Sequence, residues 1–157
     1  MREGGAATAE CGPSIGMVSN EARPVIDLRL VPQPEAVSLA RDALDDLSGT
    51  VSEASLEDAR LLVSELVTNS IRHGHLATGR DHIELRADIE GDALRVEVSD
   101  PGGGFHRQPR RAASEGSGWG LYLVGRLAER WGVSSDGPTF VWFEIPVQPR
   151  AGLSSSA

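Results

Sequence analysis

Glu65-Leu-Val-Thr-Asn69-Ser-Ile-Arg72-His73 is the stretch on which the reading of this 157-residue chain turns. It closes a segment, from about Ser55 to His73, whose apolar residues recur at helical spacing. At roughly 100° per residue, Leu56, Ala59, Val63, Leu66 and Val67 gather on one face and predict a core-facing stripe. The opposite stripe carries Asp58, Glu65, Asn69 and Arg72, with Leu61 and Leu62 on its two borders. A wet helix face and the floor of a pocket both fit this segment taken alone. The sequence downstream separates the two.

Around that helix the chain falls into alternating elements. Val25–Val31 places Ile26, Leu28 and Leu30 on one side, the pattern of a half-buried strand. Pro34 suits the first turn of a helix reaching Leu47, with Val37, Ala40, Leu44 and Leu47 as its apolar stripe and Gly49 as its stop. Ser55, with Asp58 three residues on, is the expected cap of the second helix, and Gly74 its end. His82–Asp88 and Ala93–Ser99 alternate about Glu90-Gly91-Asp92, a hairpin. Gly120–Trp131 is expected to be helical, with Leu121, Val124, Leu127, Ala128 and Trp131 turned inward. Val133–Ser135 and Thr139–Val147 make a last hairpin around Asp136-Gly137. Hairpin-linked strands with grouped helices predict an α+β, two-layer sandwich: an antiparallel or mixed sheet with three helices on one face. Residues 1–24 and 148–157 lack periodicity and read as tails, leaving 25–147 as one domain.

Composition narrows the chemistry. The formal net charge is −8, so there is no broad basic footprint and nucleic acid is not the expected partner. All 15 basic residues are arginine, which excludes a P-loop lysine, a strand lysine of the eukaryotic kinase type and Schiff-base catalysis. The one cysteine, Cys11, cannot close an internal disulfide, which suits a reducing cytoplasm. No apolar run reaches membrane-spanning length, and no membrane association is expected. Gly12-Pro-Ser14-Ile-Gly16 has the spacing of a nucleophile elbow, but no strand precedes it and no helix follows.

Three short signals carry the remaining chemistry. Glu65 and Asn69 stand one turn apart on one helix face, a carboxylate beside an amide. Asp100-Pro-Gly102-Gly103-Gly104 ends a strand with an acceptor and a flexible bend. Gly116-Ser-Gly118-Trp-Gly120-Leu121 leads into a helix N-terminus, where bare backbone N–H groups can approach phosphates. Between the last two lies Phe105–Glu115, without period and carrying Arg107, Arg110 and Arg111: a solvated connector or a lid over phosphates. A dinucleotide fingerprint fits worse, because the third glycine is misplaced and no strand feeds the loop. His73-x-His75 with His82 has no cysteine or carboxylate to complete a zinc set and reads as polar surface.

In this order and combination the three signals resemble the GHKL superfamily, which spans gyrase, a heat-shock ATPase chaperone, histidine kinases and the mismatch-repair ATPase. Glu65–Asn69 is similar to its N box, Asp100–Gly104 to its first glycine box and Gly116–Val124 to its second. Gly137–Phe140, continuing to Ile145-Pro146, resembles the strand that completes the adenine pocket. The resemblance covers about residues 25–147 and implies a Bergerat-type ATP-binding fold with ATP and Mg²⁺ as ligands. By position it implies that Asp100 accepts from the adenine amino group, with Gly102, Gly104 and Thr139 beside it. It implies Asn69 as the Mg²⁺ ligand, Gly116, Gly118, Gly120 and Leu121 around phosphate, Arg72 as an added charge and Glu65 as general base.

The chain has neither a catalytic lysine nor a hairpin bearing a phosphoacceptor histidine, and the Arg72-His73 continuation is most similar to the anti-sigma-factor serine kinases. That branch implies two protein partners, a sigma factor and an anti-anti-sigma protein phosphorylated on Ser or Thr, and leaves room for a homodimer. A nucleotide-sensing binding module with little or no transfer is the alternative, and Glu65 favours the kinase, since sensing alone needs no base.

Overall fold

The computed structural model describes residues 25–102, 119–134 and 138–148, with Trp119 and Thr139 described in their backbones. Five strands, β1 (Ile26–Leu30), β2 (Ile83–Glu90), β3 (Ala93–Asp100), β4 (Arg130–Ser134) and β5 (Thr139–Pro146), form one sheet in the order β1-β2-β3-β5-β4. Every neighbouring pair is antiparallel, so the mixed alternative falls away. Helices α1 (Glu35–Ala43), α2 (Glu53–His73) and α3 (Trp119–Leu127) share one layer, with a 3₁₀ turn at Leu44–Leu47 extending α1. The expected two-layer α+β sandwich is what the chain forms.

Strand alternation decides which face the helices cover. Ile83, Leu85 and Ala87 of β2, Leu94, Val96 and Val98 of β3, and Val141, Phe143 and Ile145 of β5 are all buried. Register aligns them into rows across the sheet, Leu85 opposite Val98 and Val98 opposite Val141. They meet Ala36 and Ala40 of α1, Leu56, Ala59, Val63, Leu66 and Val67 of α2, and Val124 of α3 in a single core. Leu62, read from sequence as a border residue, is fully buried, while Leu61 is exposed. The core stripe of α2 is wider on that side because α1 and the 3₁₀ turn pack there.

The other face of the sheet is polar and paired. Arg29 faces Glu84 at 2.9 Å, and Arg95 bridges Glu97 at 2.9 Å and Glu144 at 2.8 Å. Arg95 also lies over the Trp142 ring, 4.1 Å from its centroid. Glu144 is buried and takes a second arginine, Arg130, at 3.1 Å. A buried carboxylate needs such partners, since an unpaired one is costly.

Local chemistry sets the element ends. Ser52, not Ser55, caps α2: its extended backbone turns the side chain to accept from Ser55 N–H, and Ser55 itself points inward, buried. Gly49 leaves the 3₁₀ turn with φ 87°, and Gly91 opens the two-residue turn between β2 and β3 with φ 63°, both left-handed values that favour glycine. The largest departure from expectation is α3, which stops at Leu127, so Trp131 lies on β4. After Ala128 N–H bonds Val124 the next amide, Glu129 N–H, donates to Glu144 on β5, and the chain joins the sheet. The helical spacing of apolar residues runs on to Trp131, which is already the second residue of β4.

Candidate functional site

The site is assembled by neighbouring residues of α2 that reach in different directions. Ser52 starts this helix, Gly74 ends it, and Arg60 ties it to the 3₁₀ turn through Asp45 at 2.6 Å and to its own first turn through Glu53 at 2.7 Å. On the stripe facing away from the core, Glu65 and Asn69 are half-buried and Arg72 is exposed. None of the three side chains hydrogen-bonds or ion-pairs with another described residue. Polar groups on a half-covered face without internal partners are available to a ligand.

Asn69 faces the start of α3. A β-carbon at buried Gly120 would stand 2.6 Å from the Asn69 amide nitrogen and 3.4 Å from Glu65 Cβ. The missing side chain lets the N-terminal turn of α3 press directly on the Glu65–Asn69 face. Leu121, the next residue, is half-buried and packs on the core.

One position further on, Ser70 reaches the end of β3. Its hydroxyl donates to Asp100 Oδ2 at 2.7 Å, and Asp100 Oδ1 accepts from Gly102 N–H at 2.9 Å. Behind this turn the backbone is tight: a β-carbon on Gly102 would overlap the Gly74 carbonyl oxygen. Asp100 is directly opposite Thr139 in the β3–β5 register. The strand order, which skips β4, is what places the start of β5 beside that carboxylate.

Of the residues singled out from sequence, Glu65, Asn69 and Gly120 come together at the α2–α3 contact. Asp100, Gly102 and the Thr139 backbone come together at the adjoining ends of β3 and β5. Arg72, at the last turn of α2, makes no bond to either group. Gly104, Gly116, Gly118, the segment 105–115 with its three arginines, and Asp136-Gly137 lie outside the described residues, as do the tails 1–24 and 149–157. Ser70 was missed, and Gly74, expected and found as the end of α2, was not read as a neighbour of the Asp100 turn. The signal for Ser70 was present: it is a hydroxyl on the apolar stripe, one turn beyond Leu66 and Val67.

The donor set suits a hard cation and a polyphosphate. An amide oxygen beside a carboxylate offers oxygen ligands, and the bare backbone of Gly120 stands at the same point, at the positive end of a helix dipole. Among the described residues no three His, Cys, Asp or Glu side chains cluster as for a metal held by protein alone, and His73, His75 and His82 are exposed. No described helix is long and apolar enough to cross a membrane. Asp58, two turns before Glu65, has its carboxyl raised above the usual range by partial burial and by the Glu57 charge.

The Glu65–Asn69 face of α2, the strand-end carboxylate of Asp100 and the start of α3 at Gly120 offer donors and acceptors that suit a nucleotide. The chain is a member of the histidine kinase-like ATPase domain family, whose sequence pattern matches residues 30–145. It is 35% identical over 106 residues to the serine-protein kinase RsbW of Listeria innocua, an alignment covering 66% of this chain and 64% of that one. The chain thus spans slightly under two thirds of that relative's length. It is 29% identical over 119 residues to the serine-protein kinase RsbW of Oceanobacillus iheyensis, covering 66% of this chain and 75% of the relative. Among solved structures, the histidine kinase domain of a blue-light activated histidine kinase from Erythrobacter litoralis superposes with a TM-score of 0.48 at 23% identity, covering 73% of this chain and 60% of that one.

Proposed function

We propose that this chain binds Mg-ATP and transfers its terminal phosphoryl group to a Ser or Thr hydroxyl of an anti-anti-sigma protein, and that it holds a sigma factor as its second partner. The observation that carries the proposal is the convergence on α2. Asn69 and Glu65 face the N-terminus of α3, while the adjacent Ser70 holds Asp100 at the end of β3. The similarity to chains named serine-protein kinase supports the choice of acceptor.

In this reading Asp100 accepts a hydrogen bond from the adenine amino group, with the backbone of Thr139 alongside. Asn69 offers its amide oxygen to Mg²⁺, which when bound offsets charge on the phosphate oxygens. Glu65 takes the proton of the acceptor hydroxyl as that oxygen bonds to the terminal phosphorus and the bond to the ADP oxygen breaks. The Gly120 amide region, together with Gly116 and Gly118 ahead of it, supplies backbone N–H groups to phosphate. Arg72, exposed and unpaired among described residues, supplies a mobile positive charge near the last turn of α2.

The test is incubation of the purified chain with terminally labelled ATP, Mg²⁺ and candidate antagonist proteins from neighbouring genes. The expected result is label on one antagonist at Ser or Thr. ATP binding without transfer to any cognate antagonist would establish instead a nucleotide-sensing binding module.

A further inference from the structure

We infer that Ser70 is a positioning residue that fixes the orientation of Asp100 and so governs which base the site accepts; this rests on the nucleotide reading above. Ser70 is 8% exposed, on the stripe of α2 that otherwise buries Leu66 and Val67. A hydroxyl buried there is costly unless bonded, and among the described residues the Ser70 hydroxyl donates to Asp100 Oδ2 at 2.7 Å. The other carboxylate oxygen is occupied by Gly102 N–H at 2.9 Å. One donor on each oxygen holds the carboxylate plane at both ends.

An ionised carboxylate is an acceptor only, with about two lone-pair directions per oxygen. After Ser70 and Gly102 have each taken one, the remaining directions are fixed relative to the β3–β5 edge where Thr139 stands. A base that presents an amino group there finds an aimed acceptor. A base that presents an oxo group meets a carboxylate that cannot swing away. Without the hydroxyl, Asp100 would be held at Oδ1 alone and could rotate about its terminal torsion, which is intrinsically broad.

The fold itself does not ask for a hydroxyl at this position. Alanine is the better helix former and would continue the apolar stripe. Selection of the base therefore separates positioning from a structural role.

The experiment uses the full chain and four variants: Ser70→Ala, Ser70→Thr, Asp100→Ala and the Ser70→Ala/Asp100→Ala double change. Each is titrated with ATP, GTP, adenosine and, with Mg²⁺, tripolyphosphate. Ser70→Ala is expected to weaken ATP and adenosine by about tenfold, the scale of one hydrogen bond to a charged group. It should leave tripolyphosphate affinity unchanged and narrow the preference for ATP over GTP. Ser70→Thr should keep most of the wild-type preference, and Ser70→Ala should add nothing in the Asp100→Ala background. Wild-type adenosine affinity in Ser70→Ala, or an equal loss for adenosine and tripolyphosphate, would overturn the inference. A wild-type chain that binds ATP no better than tripolyphosphate would instead remove the adenine contact, and this inference with it.

Discussion

Gly120 lies so close to Asn69 that a β-carbon there would stand 2.6 Å from the Asn69 amide nitrogen. The group that must give way is the end of a side chain, not a backbone. Gly120→Ala should therefore leave α3 intact, since alanine favours a helix over glycine by about 1 kcal/mol, and should displace the Asn69 amide. Expected is a thermal midpoint near that of wild type with Mg²⁺-dependent ATP affinity lowered about 10–100-fold, the range seen when a metal ligand is mis-oriented. Titrations with and without chelator check this. An unchanged Mg²⁺ dependence would mean that Asn69 is not the ligand.

Gly102→Ala should fail differently. Its β-carbon would meet the Gly74 carbonyl oxygen and lie 2.9 Å from Gly74 Cα, so two backbones must part. The expected cost is about 1–3 kcal/mol of stability, read as a lower urea midpoint, with ATP affinity falling as the Gly102–Asp100 bond is lost. A midpoint equal to wild type would show that the loops after α2 and β3 are not in contact in solution.

These two glycines mark where sequence reading reached its limit. The motifs at Glu65, Asn69 and Asp100 were legible because each is a chemical type at a fixed spacing, and strand alternation predicted the sheet's buried face. What holds the motifs together was not. The Ser70–Asp100 bond spans 30 positions, and a serine on an apolar stripe carries no sign of its partner. The end of α3 was hidden because Trp131 continues the helical period although it is already the second residue of β4. The choice between them is made by Glu144, whose carbonyl takes the Glu129 N–H and whose carboxylate holds Arg130. The Ser55-x-x-Asp58 spacing imitates a cap, but Ser55 lies inside α2, buried, and its N–H donates to Ser52, which is the cap.

Asp58 supplies a pH prediction. Partial burial, then the neighbouring Glu57 charge, raises its carboxyl above the ordinary range in the folded chain. A raised acid binds its proton more readily folded than unfolded, so its ionised form opposes folding at neutral pH. That penalty is relieved as pH falls through the raised value toward the unfolded value near 4. Asp58→Asn should thus stabilise at pH 7 by a small amount, about 0.5 kcal/mol or less because the group is largely solvated. Urea midpoints of the two proteins should converge as pH is lowered toward 4. A constant gap at all pH values would rule out ionisation as the cause.

Glu65 and Asn69 share one helix face but are assigned different tasks, and their variants should separate. Glu65→Gln keeps shape and removes the proton acceptor. General-base catalysis is worth about 10²–10⁴-fold, so phosphoryl transfer should fall by that order while ATP affinity changes little. Asn69→Ala should weaken Mg-ATP binding itself, and transfer should drop in step with occupancy. The basis is geometric: both side chains are half-buried beside Gly120, without bonds to other described residues. Neither is therefore needed to hold the fold, and both variants should melt near the wild-type temperature. Nucleotide titration and transfer of label to a cognate antagonist, run on all three proteins, make the comparison. Normal transfer by Glu65→Gln would remove it as the base. Equal loss of ATP affinity in both variants would mean that Glu65, too, acts through the metal.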